Sequence, residues 1–182
     1  MKTQIKDLMR MMLLLMLCLA LTQCSTEQIN QESDLSESTL TAKAFGKKRN
    51  ELQFKFVTHL SGSNEVPTND SKATGQAIVE ISDDESMIYY KLIVANIDNV
   101  FASHFHFNSV GNNGMVVAGL FMGPKKEGHF GGILSEGYIT SENVVGPLAG
   151  DMAALINAIR EGNIYINVHT DQYRGGELRG QL

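Results

Sequence analysis

Three histidines carry most of the chemistry that this sequence offers. His104 and His106 stand two residues apart in one run of alternating apolar and polar residues, and His169 lies in a later run of the same kind. Because side chains two apart project from the same face of a strand, the first two imidazoles are expected side by side. Neutral imidazoles suit Zn²⁺ or Cu²⁺, so the three histidines form a candidate metal site with zinc or copper as its cofactor.

Polar residues on the same predicted strand faces would surround this site. Asn167 shares the face of His169, and Glu177 and Arg179 share one face of the last run. If these strands are neighbours, Glu177 could orient a ring N–H or supply a fourth ligand. The alternative is a structural network that fixes strand register, in which Glu177 pairs with Arg179 or with a histidine and no ligand is bound.

The remaining candidates are weaker. His129 lies in a segment rich in Gly and Lys, which predicts a solvent-exposed loop, so it is a secondary metal candidate. His59 stands alone on a predicted strand and is interpreted as a surface side chain. No hydroxyl or thiol has a recognisable base and orienting partner, so no catalytic residue is assigned and a non-enzymatic protein is favoured.

Short alternating runs bounded by turn residues predict an all-β domain that would position these residues. About eight strands are expected, at 52–60, 75–81, 87–95, 102–108, 115–121, 137–140, 164–170 and 177–182. Helical spacing of apolar residues predicts one short helix near 150–161, with Asp151 as its N-cap and Gly162 after its end. Many strands with one helix favour a β-sandwich or a Greek-key barrel.

The N-terminus has the pattern of an export signal. Basic residues precede an apolar run at 11–21, which is shorter than the roughly 20 residues that a membrane span needs. The run closes on Leu21-Thr22-Gln23-Cys24, which resembles the lipobox of bacterial lipoproteins, although Gln23 is larger than the usual residue there. Residues 1–23 are therefore predicted to be a lipoprotein signal peptide, with a lipid on Cys24 anchoring the exported protein to the membrane of the cell envelope. The alternative is cleavage after Ala20 and a soluble secreted protein.

Composition narrows the classes of partner. The 182 residues include 15 basic and 20 acidic side chains, a net charge of -5. They contain no basic block that could follow a phosphate backbone, so nucleic acid is excluded as a partner.

Residues 24–50 are rich in Ser, Thr, Glu, Gln and Asn and are expected to form a flexible tether. The two cysteines, Cys18 and Cys24, lie in the signal and at the anchor, so no disulfide framework is expected in the domain.

Four motifs, in the family's order, resemble those of the CHRD domain family. They are Leu60-Ser61-Gly62-Ser63-Asn64-Glu65-Val66-Pro67, Ala73-Thr74-Gly75, Ser103-His104-Phe105-His106, and residues 165–170 together with 175–182. The resemblance covers residues 51–182 and implies an immunoglobulin-like β-barrel, distantly similar to copper/zinc superoxide dismutase, with no established activity in bacterial members. It favours a non-catalytic binding or structural module with an unidentified protein or polysaccharide partner. The alternative is a histidine-dependent Cu/Zn-binding protein with a possible redox role.

The distant similarity to superoxide dismutase extends to some metal ligands only. His104 and His106 resemble that family's copper-binding His-x-His strand, His169 could stand for the late copper ligand, and the stretch ending at His129 resembles one that carries a zinc ligand. However, no histidine between 106 and 129 could bridge two metals, Gly132 stands where an Asp ligand is expected, and the internal disulfide is absent. Dismutase activity is therefore not expected.

Overall fold

A computed structural model describes residues 53–182, whose regular structure is mostly β-sheet. The strands are β1 (Lys55–Ser61), β2 (Thr74–Ile81), β3 (Ile88–Phe107), β4 (Met115–Phe121), β5 (Lys126–Ile139), β6 (Ile164–Thr170) and β7 (Leu178–Gln181). One α-helix, α1 (Met152–Arg160), lies between β5 and β6, and short 3₁₀ turns occur at Gly62–Asn64, Ser141–Asn143 and Gly146–Leu148. The predicted all-β class with one short helix is confirmed.

The predicted signal peptide, the tether and the lipidation site at Cys24 lie outside the described residues. Within 53–182, the helices are all too short or too polar to cross a bilayer.

Five of the strands close into an antiparallel barrel. They follow the order β2-β1-β7-β6-β3, and pairing of β2 with β3 completes the ring. Strands β4 and β5 extend the sheet outward from β3. This order makes β6 the neighbour of both β3 and β7. These three strands carry the histidines and the polar residues around them that the sequence predicts on one face.

Strand β3 is continuous where the sequence predicts two strands. It runs for 20 residues, pairs with β2 and β5 in its first half, and pairs with β6 and β4 in its second. The predicted break at 96–101 is wrong because the turn-forming residues Asn96 and Asn99 adopt positive φ angles of 55° and 52° inside the strand. Asparagine tolerates this conformation, so the chain shifts register against β5 and then resumes pairing.

Strand β5 is also longer than predicted. Residues 126–136, interpreted from the sequence as a Gly- and Lys-rich loop, pair with β3 along most of their length. Gly128 and Gly132 have φ angles of 71° and 137°, which a residue with a Cβ rarely adopts. These glycines therefore bend a strand rather than end it.

The helix α1 packs onto the core as predicted. The side chain of Asp151 accepts a hydrogen bond from the backbone N–H of Ala154 at 2.9 Å, which caps the first turn. Leu155, Ile156 and Ile159 are fully buried on one face. Burying each side chain of this size contributes about 1.5 to 3 kcal/mol. Because a helix this short has little stability of its own, this packing is what stabilises α1. Gly162 follows with φ +72°.

Candidate metal centre

The candidate site lies on the outer face of the sheet formed by β3, β6 and β7. In the register of these strands, His104 faces Asn167 and His106 faces Tyr165, while Asn167 in turn faces Arg179. The intervening residues, such as Phe105, point into the barrel and are fully buried there. The alternation of side chains therefore puts the polar residues of all three strands on one face, away from the apolar core.

The three predicted histidines come together on this face. One potential ligand atom from each of His104, His106 and His169 can be chosen so that all three lie within 4.8 Å of one another. Nδ1 of His104 is 3.1 Å from Nε2 of His169. Three nitrogens bound to one ion at about 2.0 to 2.1 Å would lie about 3.4 Å apart, so small side-chain rotations bring this set to ligating distance.

Backbone carbonyls fix the orientation of two of the rings. Nδ1 of His106 lies 2.9 Å from the carbonyl oxygen of Gly114, and Nδ1 of His169 lies 2.9 Å from that of Arg174. Because a carbonyl oxygen only accepts, both Nδ1 atoms carry the proton, and in a neutral ring Nε2 is then an unprotonated acceptor. His104 consequently donates its Nδ1–H to Nε2 of His169.

Burial keeps these rings neutral. It lowers the pKa of His104 from 6.5 to about 4, with smaller contributions from the neighbouring His169 and His106. Burial also lowers the pKa of His106 and the pKa of His169, although their carbonyl partners at Gly114 and Arg174 oppose it, as does the side chain of Asn167 next to His106. Neutral imidazole is the form that binds a metal ion, so at neutral pH all three rings are in the ligating state.

His106 belongs to a stack of three side chains that also contains Tyr165 and Arg179. The ring of His106 lies nearly parallel to that of Tyr165, at 4.9 Å and 11°, and the guanidinium of Arg179 lies 3.5 Å from the centre of the Tyr165 ring. Arg179 is 2% exposed, and it donates hydrogen bonds to the carbonyl of Asn112 at 2.8 Å and the side chain of Asn113 at 3.3 Å. Arg179 thus ties the loop after β3 to the sheet, and its charge also acts on the buried carboxyl of Glu65.

Glu177 does not take the place predicted for it. Its carboxylate accepts hydrogen bonds of 2.6 Å from the hydroxyls of Ser71 and Thr170, rather than from a histidine ring or from Arg179. The role of orienting ring N–H groups belongs instead to the carbonyls of Gly114 and Arg174. Glu177 lies just before β7, in a turn where the alternation used to place it does not hold.

The turn after β1 and the loop before β4 cover one side of the site. The side chain of Asn64 donates to the carbonyl of Arg179 at 3.1 Å, and the side chain of Asn113 donates to the carbonyl of Val66 at 2.7 Å. The turn after β1 is therefore connected both to β7 and to the loop before β4. With the turn that carries Arg174, these loops leave His106 and His169 each 9% exposed and His104 more open to solvent.

The comparison with protein families matches this same region. The model of the CHRD domain family matches residues 56–182, from β1 to the end of the chain. The chain belongs to the CHRD domain family. The searches of curated proteins and of solved structures returned no match. All three histidines of the site and the strands that position them therefore lie within the CHRD domain.

A buried carboxyl in the CHRD domain was not singled out from the sequence. Glu65, named above only within a family motif, is 5% exposed, and its Oε1 has no hydrogen-bond partner in the described part of the chain. A Cβ on Gly176 would overlap this oxygen and would lie 3.2 Å from Nδ2 of Asn167. Burial raises the pKa of Glu65 from 4.5 to about 6, against the backbone N–H of Val66 and the charge of Arg179. Its place in a turn-rich motif gave no signal of burial.

Buried polar atoms without partners concentrate around this face of the CHRD domain. Among the described residues they are Oε1 of Glu65, Nε2 of His106, Oδ1 of Asn167 and Oε1 of Gln181. A buried polar atom without a partner costs about 1 to 3 kcal/mol, which a bound ion or a solvent molecule would offset. The unpaired Nε2 of His106 is thus an electron-pair donor placed within the histidine group.

The two other histidines of the CHRD domain lie apart from the group. His129 is on the exposed side of β5, with its Nδ1 3.4 Å from a carboxylate oxygen of Asp98. His59 is exposed on β1. Within residues 53–182, neither belongs to a group of three or more potential metal ligands.

Proposed function

We propose that this CHRD domain is a non-catalytic binding module of the cell envelope and that its ligand is a transition-metal ion. His104, His106 and His169 would hold the ion. The observation that carries the proposal is the approach of three neutral imidazoles to within 4.8 Å, with two of them oriented by backbone carbonyls. Three imidazoles with an open position are a common ligand set for zinc and copper.

The surroundings of the histidines fit a metal ion. Within residues 53–182, Nε2 of His106 is buried without a hydrogen-bond partner, and Nε2 of His169 accepts the Nδ1–H of His104. Binding an ion would move the proton of His104 from Nδ1 to Nε2 if Nδ1 is its ligand atom, with no change in the charge of the ring. The ion would supply a local positive charge and an open coordination position, while the protein fixes the rings.

The location is part of the same proposal and rests on the sequence alone. The pattern of residues 1–23 supports export, Cys24 supports a lipid anchor, and residues 24–50 support a tether between membrane and domain. A soluble secreted form, cleaved after Ala20, is the alternative.

Metal analysis of the full-length protein tests the proposal. Purified without a histidine tag, it is incubated with Zn²⁺ or Cu²⁺, exchanged into metal-free buffer, and its metal content is measured. We expect close to one ion per chain in the wild type and near-complete loss in the His104→Ala/His106→Ala double variant. His59→Ala is the matched control, since it removes an exposed imidazole outside the group, and it should retain the metal.

A second candidate function is a structural module that acts through a protein or polysaccharide partner. The hydrogen bond from His104 to His169 favours it, because the two rings satisfy each other without an ion. In that case the wild type retains no metal, and His104→Ala lowers the free energy of unfolding by about 1 to 3 kcal/mol because a buried partner loses its hydrogen bond. Folded wild-type protein without bound metal would contradict the metal proposal.

A further inference from the structure

A methionine lies over the strand position that faces His104, and the apolar core does not explain its place there. Met122 follows β4 directly and is 72% exposed. Its side chain lies over Gly119, so that a Cβ added to Gly119 would be 3.2 Å from its Cγ and 3.3 Å from its Sδ. The thioether is therefore drawn back across the outer face of β4, into space that only a glycine leaves free.

Gly119 is the direct cross-strand partner of His104. Partners of this kind project from the same face of the sheet, with Cβ positions about 4.5 to 5.5 Å apart. The neighbouring pair, Phe105 with Ala118, is fully buried, which confirms that His104 and Gly119 share the opposite, outer face. The Met122 sulfur thus lies within about 9 Å of the His104 Cβ, a gap that two flexible or extended side chains can close.

We propose that the ion bound at the histidine group is monovalent copper and that the thioether of Met122 is its fourth ligand. This inference rests on the proposed metal site and names the metal that it takes. Thioether sulfur is a soft ligand that favours Cu(I), whereas zinc sites use thiolate, imidazole or carboxylate.

The alternative fourth ligand predicted from the sequence is not available. The carboxylate of Glu177, which would favour zinc, accepts hydrogen bonds from Ser71 and Thr170. Met122 approaches from the side of His104, which is the most exposed of the three histidines. A copper ion arriving from solvent would therefore meet the thioether and the open imidazole first.

Parallel affinity measurements on the full-length protein test this inference. The Cu(I) affinity is measured by competition with a chromophoric Cu(I) chelator under anaerobic conditions, and the Zn²⁺ affinity with a zinc-binding dye. Met122→Leu replaces the thioether with an apolar side chain of similar volume. Met115→Leu is the matched control, because Met115 is 65% exposed at the opposite end of β4. X-ray absorption of the Cu(I)-loaded protein reports directly whether sulfur is bound.

We expect Met122→Leu to weaken Cu(I) binding about tenfold or more, to abolish the copper–sulfur signal, and to leave Zn²⁺ affinity unchanged, whereas Met115→Leu should behave as the wild type. Unchanged Cu(I) affinity in Met122→Leu, or equal losses for both metals, would overturn the role of Met122 while leaving the histidine site intact. A wild type that binds neither metal would overturn the proposed function together with this inference.

Discussion

Single residues at this site show how far side-chain alternation can be read from a sequence. The spacing of His104 and His106 and the position of His169 in its strand predicted which face each occupies, and the structure brings them together. The partners of Glu177 and the burial of Glu65 were not predicted because both residues lie in turns, where the two-residue period gives no direction. The carbonyls of Gly114 and Arg174 could not be predicted either, since backbone groups are the same in every residue.

The buried carboxyl of Glu65 gives a prediction at this scale. Its pKa is raised to about 6 in the folded protein from an ordinary 4.5, so the folded state favours the protonated form. Its contribution to stability is therefore fully present below pH 4.5 and is lost as the pH rises through 6, by up to about 2 kcal/mol. Glu65→Gln keeps the side chain neutral, so its free energy of unfolding relative to the wild type should rise across this interval.

Chemical denaturation of the metal-free protein between about pH 4 and pH 8 measures this difference. Comparing variant with wild type at each pH cancels the titration of the histidines, whose lowered pKa values change stability in the opposite direction. Glu142→Gln, at an exposed position in a 3₁₀ turn, is the control. A difference between Glu65→Gln and wild type that stays constant with pH would show that the carboxyl is not buried as described.

At the scale of elements, β3 organises the site because it pairs with four of the other six strands, β2, β4, β5 and β6. It carries two of the three histidines, pairs with the strand of the third, and pairs with the strand that precedes Met122. The sequence predicted the two halves of β3 as separate strands, since asparagines and an aspartate normally mark a turn. Only the pairing with β5, a contact between distant parts of the chain, shows that these residues continue the strand.

The asparagine bulges of β3 give a second prediction. Asn99 has φ 52°, and its side-chain oxygen accepts a hydrogen bond from the backbone N–H of Gly128 at 2.8 Å. Asn99→Gly loses this bond but keeps the conformation accessible, whereas Asn99→Ala loses the bond and also disfavours the positive φ. We expect Asn99→Ala to be the less stable of the two variants by about 1 kcal/mol, measured by urea denaturation. Equal stabilities would mean that the conformation at residue 99 relaxes.

At the scale of the whole molecule, the expected arrangement is a domain on a tether. The tether of residues 24–50 would have a typical end-to-end distance of roughly 30 Å if it is a flexible coil. Such a length would separate the CHRD domain from the lipid surface. Removal of residues 1–23 would take away three basic and one acidic side chain, leaving 12 basic and 19 acidic side chains, a net charge of -7. That charge gives no overall attraction to an anionic membrane, so attachment would depend on the lipid.

Lipidation at Cys24 is testable by partition and labelling. In bacterial cells that process lipoproteins, we expect the wild type to incorporate a labelled fatty acid and to enter the detergent phase on extraction. Cys24→Ser should do neither, because the acceptor thiol is missing. Cys18→Ser, in the apolar run that precedes the cleavage site, is the matched control and should behave as the wild type. Labelling that persists in Cys24→Ser would show that the anchor lies elsewhere.

The positions of the three histidines along the chain imply that a bound ion would also affect how long the folded domain persists. An ion held by all three would join His169, near the end of the CHRD domain, to His104 and His106, which lie 65 and 63 positions earlier in the chain. It would thus act as a reversible cross-link in a domain whose residues 53–182 contain no cysteine. Unlike a disulfide it would not be opened by reduction of a sulfur–sulfur bond, but it would last only while metal is supplied and while competing ligands in the surroundings, thiols included, are scarce.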